Sequence, residues 1–135
     1  IVTLASIVDE ETDNEAEMPK IAGMYINRLH LNMPLQADPT VKFATKNFTA
    51  HRIYQKWLTI DNPYNTYKYR GLPPGPIRIP SVAAIDAVLN YVHHDYIYMC
   101  AKEDFSGTHN FAKTYEEHQK NAAKYAKALN EHGIN

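Results

Sequence analysis

Between Asp61 and Pro80 the chain carries five of its eight prolines and two of its five glycines. Proline removes a backbone donor, fixes φ and pushes the residue before it out of the helical region. Neither a helix nor a central strand can run through such a stretch, so it is read as irregular. A loop of that length inside a compact domain is more often functional than filler. The chain has 135 residues. The length suits one domain, which buries roughly two thirds of its unfolded surface and needs no covalent staples.

In the front half, Ile1, Leu4, Ala5 and Val8 recur at i, i+3, i+4 and i+7, the signature of one helical face. The next position on that face is Glu11. Asp9 and Glu10 rotate away from Val8 by about 100° and 200°. A carboxylate among apolar neighbours is disfavoured as an anion, so Glu11 reads as a carboxylic acid held protonated near neutral pH. Such a group can protonate a glycosidic oxygen. The alternative is an ordinary helix-end glutamate turned to solvent or paired with Arg28 or Lys20. After a polar loop from Thr12 to Glu17, Pro19 suits the first turn of a second helix, with Ile21, Ala22, Tyr25, Ile26 and Leu29 on its apolar face. From Asn32 to Phe43 the period is lost, and Pro34 and Pro39 predict an extended, turn-rich stretch. There Asp38 reads as an Asx turn, a substrate ligand or a second carboxylate. Thr45 to Ile60 is ambiguous, with Ile53 and Trp57 spaced for a short helix.

In the back half Ser81 caps a third helix whose buried face is expected at Val82, Ile85, Val88, Leu89 and Val92. Tyr96 to Ala101 reads as a strand, a turn follows at Asp104, Ser106 and Gly107, and Thr108 to Phe111 returns as the second strand of a hairpin. Thr114 and Glu117 form a capping box for a last helix lined by His118, Ala122, Tyr125 and Leu129 and ended by Gly133. The expected fold is a small α+β domain with about four helices around a short β-hairpin.

Composition narrows the function. The net charge is −1 with both signs dispersed, so no basic stripe marks a nucleic-acid or anionic-lipid partner. Cys100 is the single cysteine, and His93 and His94 are adjacent with no His-x-x-x-His pair, so no metal is expected. No glycine-rich phosphate loop implies a cofactor, and Ser6 and Ser81 lack the glycines of a hydrolase elbow. No apolar run reaches the ~18 residues of a membrane span. The opening on Ile1, mid-pattern in an apolar run, reads as a piece of a longer protein whose upstream part would carry any targeting segment or anchor. Ten tyrosines against four phenylalanines offer stacking faces with a polar handle. Tyr64, Asn65, Thr66 and Tyr67 alternate such groups and would line a saccharide or peptide groove, or pack at a β-edge. His109, beside a Gly-Thr turn, either faces a cleft or lies at the surface.

Several blocks in order resemble one family. Ala5-Ser6-Ile7-Val8-Asp9-Glu10-Glu11-Thr12 resembles the catalytic-helix motif of the endolytic murein transglycosylases, the YceG-like family. Asn27-Arg28-Leu29, Leu35-Gln36-Ala37-Asp38-Pro39-Thr40-Val41, Tyr64-Asn65-Thr66-Tyr67, Gly71-Leu72-Pro73-Pro74-Gly75-Pro76-Ile77, Pro80-Ser81 and Gly107-Thr108-His109 follow the same pattern. Asp9 stands where that family often has glutamate, and Thr45 to Ile60 departs from its glycine-bearing loop. The resemblance covers nearly the whole chain and implies a lytic-transglycosylase catalytic domain over 1–135, preceded in the family by a small domain and a membrane helix. It implies non-hydrolytic cleavage of peptidoglycan strands between N-acetylmuramic acid and N-acetylglucosamine, leaving 1,6-anhydro ends, with Glu11 as acid and then base and no cofactor. Gln36, Asp38, Tyr64, Asn65, Tyr67 and His109 would bind the sugars. The domain would act outside the cytoplasmic membrane, on glycan strands and beside cell-wall synthases. A muramidase-like hydrolase using Glu11 and Asp38, and a non-catalytic glycan-binding module, are the rival readings.

Overall fold

The computed structural model describes residues 1–46 and 55–133. Helix α1 (Val2–Glu11) buries Leu4, Ala5 and Val8, as the spacing predicts, and Ile7 besides, whereas Ile1, ahead of the helix, is 63% exposed; it stops at Thr12, whose backbone is extended. Helix α2 (Met18–His30) has Pro19 in its first turn and Arg28 and His30 in its last, where cations offset the helix dipole. It buries Ile21, Ala22, Met24 and Tyr25 against α1.

The stretch read as turn-rich contains a further helix, α3 (Asp38–Thr45). Pro39 is the reason for the misreading: it stands in the first turn, where proline starts a helix instead of breaking one. Asp38 opens the helix, favourably placed for its dipole, and Thr40 and Val41 face inward. Lys46, at φ 60°, ends it. Trp57 falls in a 3-10 turn, Gln55–Thr59, while Ile53 lies outside the described residues. From Asp61 to Pro80 no helix or strand forms.

Helix α4 (Val82–Leu89) is capped as expected, the Ser81 hydroxyl accepting from the Ala84 N–H at 3.2 Å. Of its expected buried face, Val88 is buried and Ile85 packs half-buried against the core, but Val82 and Leu89 are 75% and 57% exposed, and Ala84 and Ala87 take their place inward. Val92, beyond the helix end, is exposed too. Two alanines let α4 pack closely on both α1 and α2, and larger residues on that side would hold the helices apart. Gly23 serves the same closeness, since a Cβ there would stand 2.2 Å from the Val92 carbonyl oxygen.

Strands β1 (Tyr98–Ala101) and β2 (His109–Ala112) form the antiparallel hairpin, with Ala101 opposite His109. Helix α5 (Tyr115–Glu131) packs across it, capped by Thr114 and ended at Gly133, φ +69°. Leu129 is buried, and His118, Ala122 and Tyr125 are half-buried. The α+β expectation holds, with five α-helices among the described residues where about four were expected. Side chains of α1 fasten the proline-rich loop: Ser6 Oγ accepts from the Ile77 N–H at 3.0 Å, Asp9 accepts from the Ser81 N–H at 2.8 Å, and Glu10 accepts from Arg78 at 3.0 Å.

Candidate active site

Glu11 ends α1, and Tyr25 reaches it from the middle of α2. The Tyr25 hydroxyl donates to Glu11 Oε1 at 2.5 Å, from a side chain only 2% exposed. Glu11 makes no pair with Arg28 or Lys20. Arg28 donates to the carbonyls of Ile97 and Pro34, and Lys20 lies over the rings of Tyr96 and Phe111. Burial pushes the Glu11 carboxyl up to about 7. The Tyr25 hydrogen bond and Lys42 pull it down, and the negative charge of Asp38 adds to the rise. The carboxyl can therefore hold or release a proton near neutral pH.

Across the cleft the Tyr67 hydroxyl donates to Asp38 Oδ1 at 2.5 Å. Desolvation raises the Asp38 carboxyl above its ordinary range, opposed by that hydrogen bond and by Lys42 one turn along α3. A cavity of about 420 Å³ takes in Glu11, Tyr25, Gln36, Asp38, Tyr67 and His109. A second, of about 580 Å³, lies along Glu11, Thr12, Phe105, His109 and Tyr125. Glu11 and His109 border both, so the two hollows meet at these side chains. His109 is held there by Glu17, which takes its Nδ1 at 2.6 Å through Oε1 and its backbone N–H at 3.2 Å through Oε2. Among the described residues no group of His, Cys, Asp and Glu is arranged to hold a metal ion.

A model of the YceG-like family matches residues 1–124. The chain belongs to the YceG-like family. It is 43% identical over 131 residues to a Bacillus subtilis protein named endolytic murein transglycosylase, covering 97% of this chain and 36% of that one. To a Streptococcus pneumoniae protein of the same name it is 33% identical over 129 residues, covering 93% of this chain and 23% of that one. The crystal structure of a yceG-like protein from Listeria monocytogenes superposes with a TM-score of 0.80 at 40% identity, over 87% of this chain and 38% of that one. The chain thus spans about a third or less of the length of these curated relatives.

In this YceG-like chain the sequence-derived site residues divide into two groups. Gln36, Asp38, Tyr67 and His109 border the cleft beside Glu11. Tyr64 and Asn65 do not. Tyr64 packs its ring on Phe43, centroids 4.8 Å apart. Asn65 is fully buried, donates to the carbonyls of Leu58 and Ile60, and accepts from the Tyr67 N–H. Thr66 is buried as well, and its hydroxyl accepts from the Ala37 N–H at 2.9 Å. An alternating aromatic and polar run looks the same whether it lines a groove or braces a loop. Here Asn65 and Thr66 brace the loop that presents Tyr67 and the start of α3. The sequence reading also passed over Tyr25 and Glu17. A tyrosine on a fully buried helical face needs a partner for its hydroxyl, which is a usable signal for Tyr25. Glu17 meets His109 across 92 positions, and no local pattern announces that.

Proposed function

We propose that this chain is the catalytic domain of an endolytic peptidoglycan lytic transglycosylase. It would cleave the bond between N-acetylmuramic acid and N-acetylglucosamine without water and leave 1,6-anhydro-muramic ends. The observation that carries the reading is the Glu11 carboxyl, shielded beside Tyr25 at the meeting of two hollows and pushed up to about 7. The names of the Bacillus and Streptococcus relatives agree with it.

In this scheme protonated Glu11 gives its proton to the bridging oxygen as the glycosidic bond breaks. The resulting carboxylate then takes the proton of the muramic 6-hydroxyl as that oxygen bonds to the anomeric carbon. A group titrating near 7 is suited to both directions. The hydroxyl is tethered to the ring it attacks, so its effective concentration far exceeds that of an unplaced water. Asp38, with Tyr67, supplies negative potential for the oxocarbenium-like transition state. The glycan strand would lie along both hollows, with the scissile bond at Glu11. The place of action is the cell wall, outside the cytoplasmic membrane, with cell-wall synthases as neighbours. The full protein would be anchored by a segment upstream of this domain.

One observation supports a second reading. Asp38 shares the cleft with Glu11, as the second carboxylate of a hydrolase would. Digestion of purified glycan strands in heavy-oxygen water separates the two. Unlabelled products, each lighter by one water than a muramidase product, support the transglycosylase. Label at the new anomeric carbon in most products would transfer the assignment to the hydrolase.

A further inference from the structure

Glu17 lies outside every motif named above, yet it makes one of the shortest polar contacts to a cleft residue, 2.6 Å from Oε1 to His109 Nδ1. Its side chain and that of His109 are 12% and 9% exposed, and both of its oxygens are committed to the same residue. A carboxylate can only accept, so Nδ1 of His109 carries a proton. In the neutral ring the lone pair is then left on Nε2, the nitrogen remaining for the cleft that His109 borders on both sides of Glu11. The clamp leaves little freedom. The backbone N–H of His109 is held by the same carboxylate, and β2 fixes the backbone in register with Ala101.

We propose that Glu17 is a positioning residue that fixes the tautomer of His109, so that Nε2 accepts a hydrogen bond from a sugar hydroxyl beside the scissile bond. This rests on the glycan-cleaving reading above. In Glu17→Gln the amide has the same size, but it can satisfy the clamp only by reversing one bond. Its carbonyl takes the His109 N–H, and its NH₂ donates to Nδ1. The ring proton then moves to Nε2, which confronts the sugar with a donor where an acceptor is needed. Glu17→Asp keeps an acceptor-only carboxylate at a shorter reach.

The two variants order oppositely under the two possible roles. Were Glu17 only a brace, the isosteric Gln would be milder than the shortened Asp. For a tautomer-setting role, Gln is the more damaging, lowering kcat on purified peptidoglycan by about tenfold or more with little change in KM or melting temperature, the scale of one lost and one mismatched hydrogen bond. Glu17→Asp should retain most of kcat. Nitrogen-15 correlation spectra of the His109 ring provide a readout independent of turnover. They should show the proton on Nδ1 in the parent and in Glu17→Asp, and on Nε2 in Glu17→Gln. A doubly protonated ring in the parent, an unmoved proton in Glu17→Gln, or Gln milder than Asp in kcat would overturn the proposal. Should the parent itself fail to cleave peptidoglycan while the spectra behave as expected, the tautomer assignment stands and the glycan-cleaving reading is the part that fails.

Discussion

The end of α1 and the start of α3 present the same local chemistry: a carboxylate accepting a tyrosine hydroxyl at 2.5 Å, Glu11 from Tyr25 and Asp38 from Tyr67. Their surroundings differ. Glu11 lies beyond a buried helical face and its partner tyrosine is in the core, with Lys42 only partly offsetting the burial. Asp38 opens a helix, with the dipole and Lys42 favouring its anion, and as a residue it is exposed. Desolvation raises both, carrying Glu11 up to about 7. The tyrosine hydrogen bond and Lys42 favour the anion at both sites, so what opposes the anion is the exclusion of water. The comparison supports the proposed acid role for Glu11 and the proposed electrostatic role for Asp38.

The most severe way to break that assignment is Glu11→Gln. The amide keeps the volume and can still accept from Tyr25, but it neither donates a proton as an acid nor recovers one as a base. General acid–base catalysis is worth about 10²–10⁴-fold, and in the proposed scheme both steps depend on this one group. Turnover of glycan strands should fall by at least about 10²-fold while the fold persists. Activity within tenfold of the parent would remove Glu11 from the role.

Glu11 was legible because one periodicity, counted from Ile1, ends on it. The hairpin, the caps at Ser81 and Thr114 and the irregular stretch from Asp61 to Pro80 were legible for the same reason: each is written in neighbouring residues. What escaped is non-local. Whether Val82 or Ala84 faces inward depends on how closely α1 and α2 approach α4, and the helix's own sequence favours the larger residue. Pro39 has one meaning as a helix starter and another as a breaker, and the choice depends on Thr66 holding the Ala37 N–H from a distant loop. Asn65 and Glu17 owe their places to partners that only folding brings near.

Asp38→Asn tests the other half of the comparison. Asparagine fits the start of α3 and still accepts from Tyr67 but carries no charge, so turnover should fall by more than about tenfold, though by less than in Glu11→Gln. Because the negative charge of Asp38 raises Glu11, its removal should lower the Glu11 pKa and move the alkaline limb of the pH–rate profile to lower pH. Tyr25→Phe should move the limb the opposite way. The lost hydrogen bond favoured the carboxylate, so Glu11 stays protonated to higher pH. Limbs that shift together, or a loss beyond 10²-fold in Asp38→Asn, would exchange the roles of the two carboxylates.

The smallest effect is on stability, and its sign follows from the same asymmetry. Unfolded, Glu11 titrates near its ordinary value of 4.5; folded, near about 7. Below the first value it is protonated in both states and contributes no pH dependence. Between the two, the folded chain holds a proton that the unfolded chain has released, so each rise in pH favours unfolding. Above the second the loss is complete. Its ceiling is about 3 kcal/mol for a shift of that size, and about 1–2 kcal/mol is expected because Glu11 is only partly enclosed as a residue. Glu11→Gln carries no such cost, and every other titrating group is common to the two proteins. The variant's melting temperature should therefore rise relative to the parent between pH 4.5 and pH 7.5, by about 3–6 °C. Asp38→Asn, compared with the parent in the same way, should show a smaller change, because less of its environment opposes the anion. A constant difference between parent and Glu11→Gln across that range would mean that Glu11 titrates alike folded and unfolded. The shielded acid at the end of α1 would then be no different from the exposed one at the start of α3.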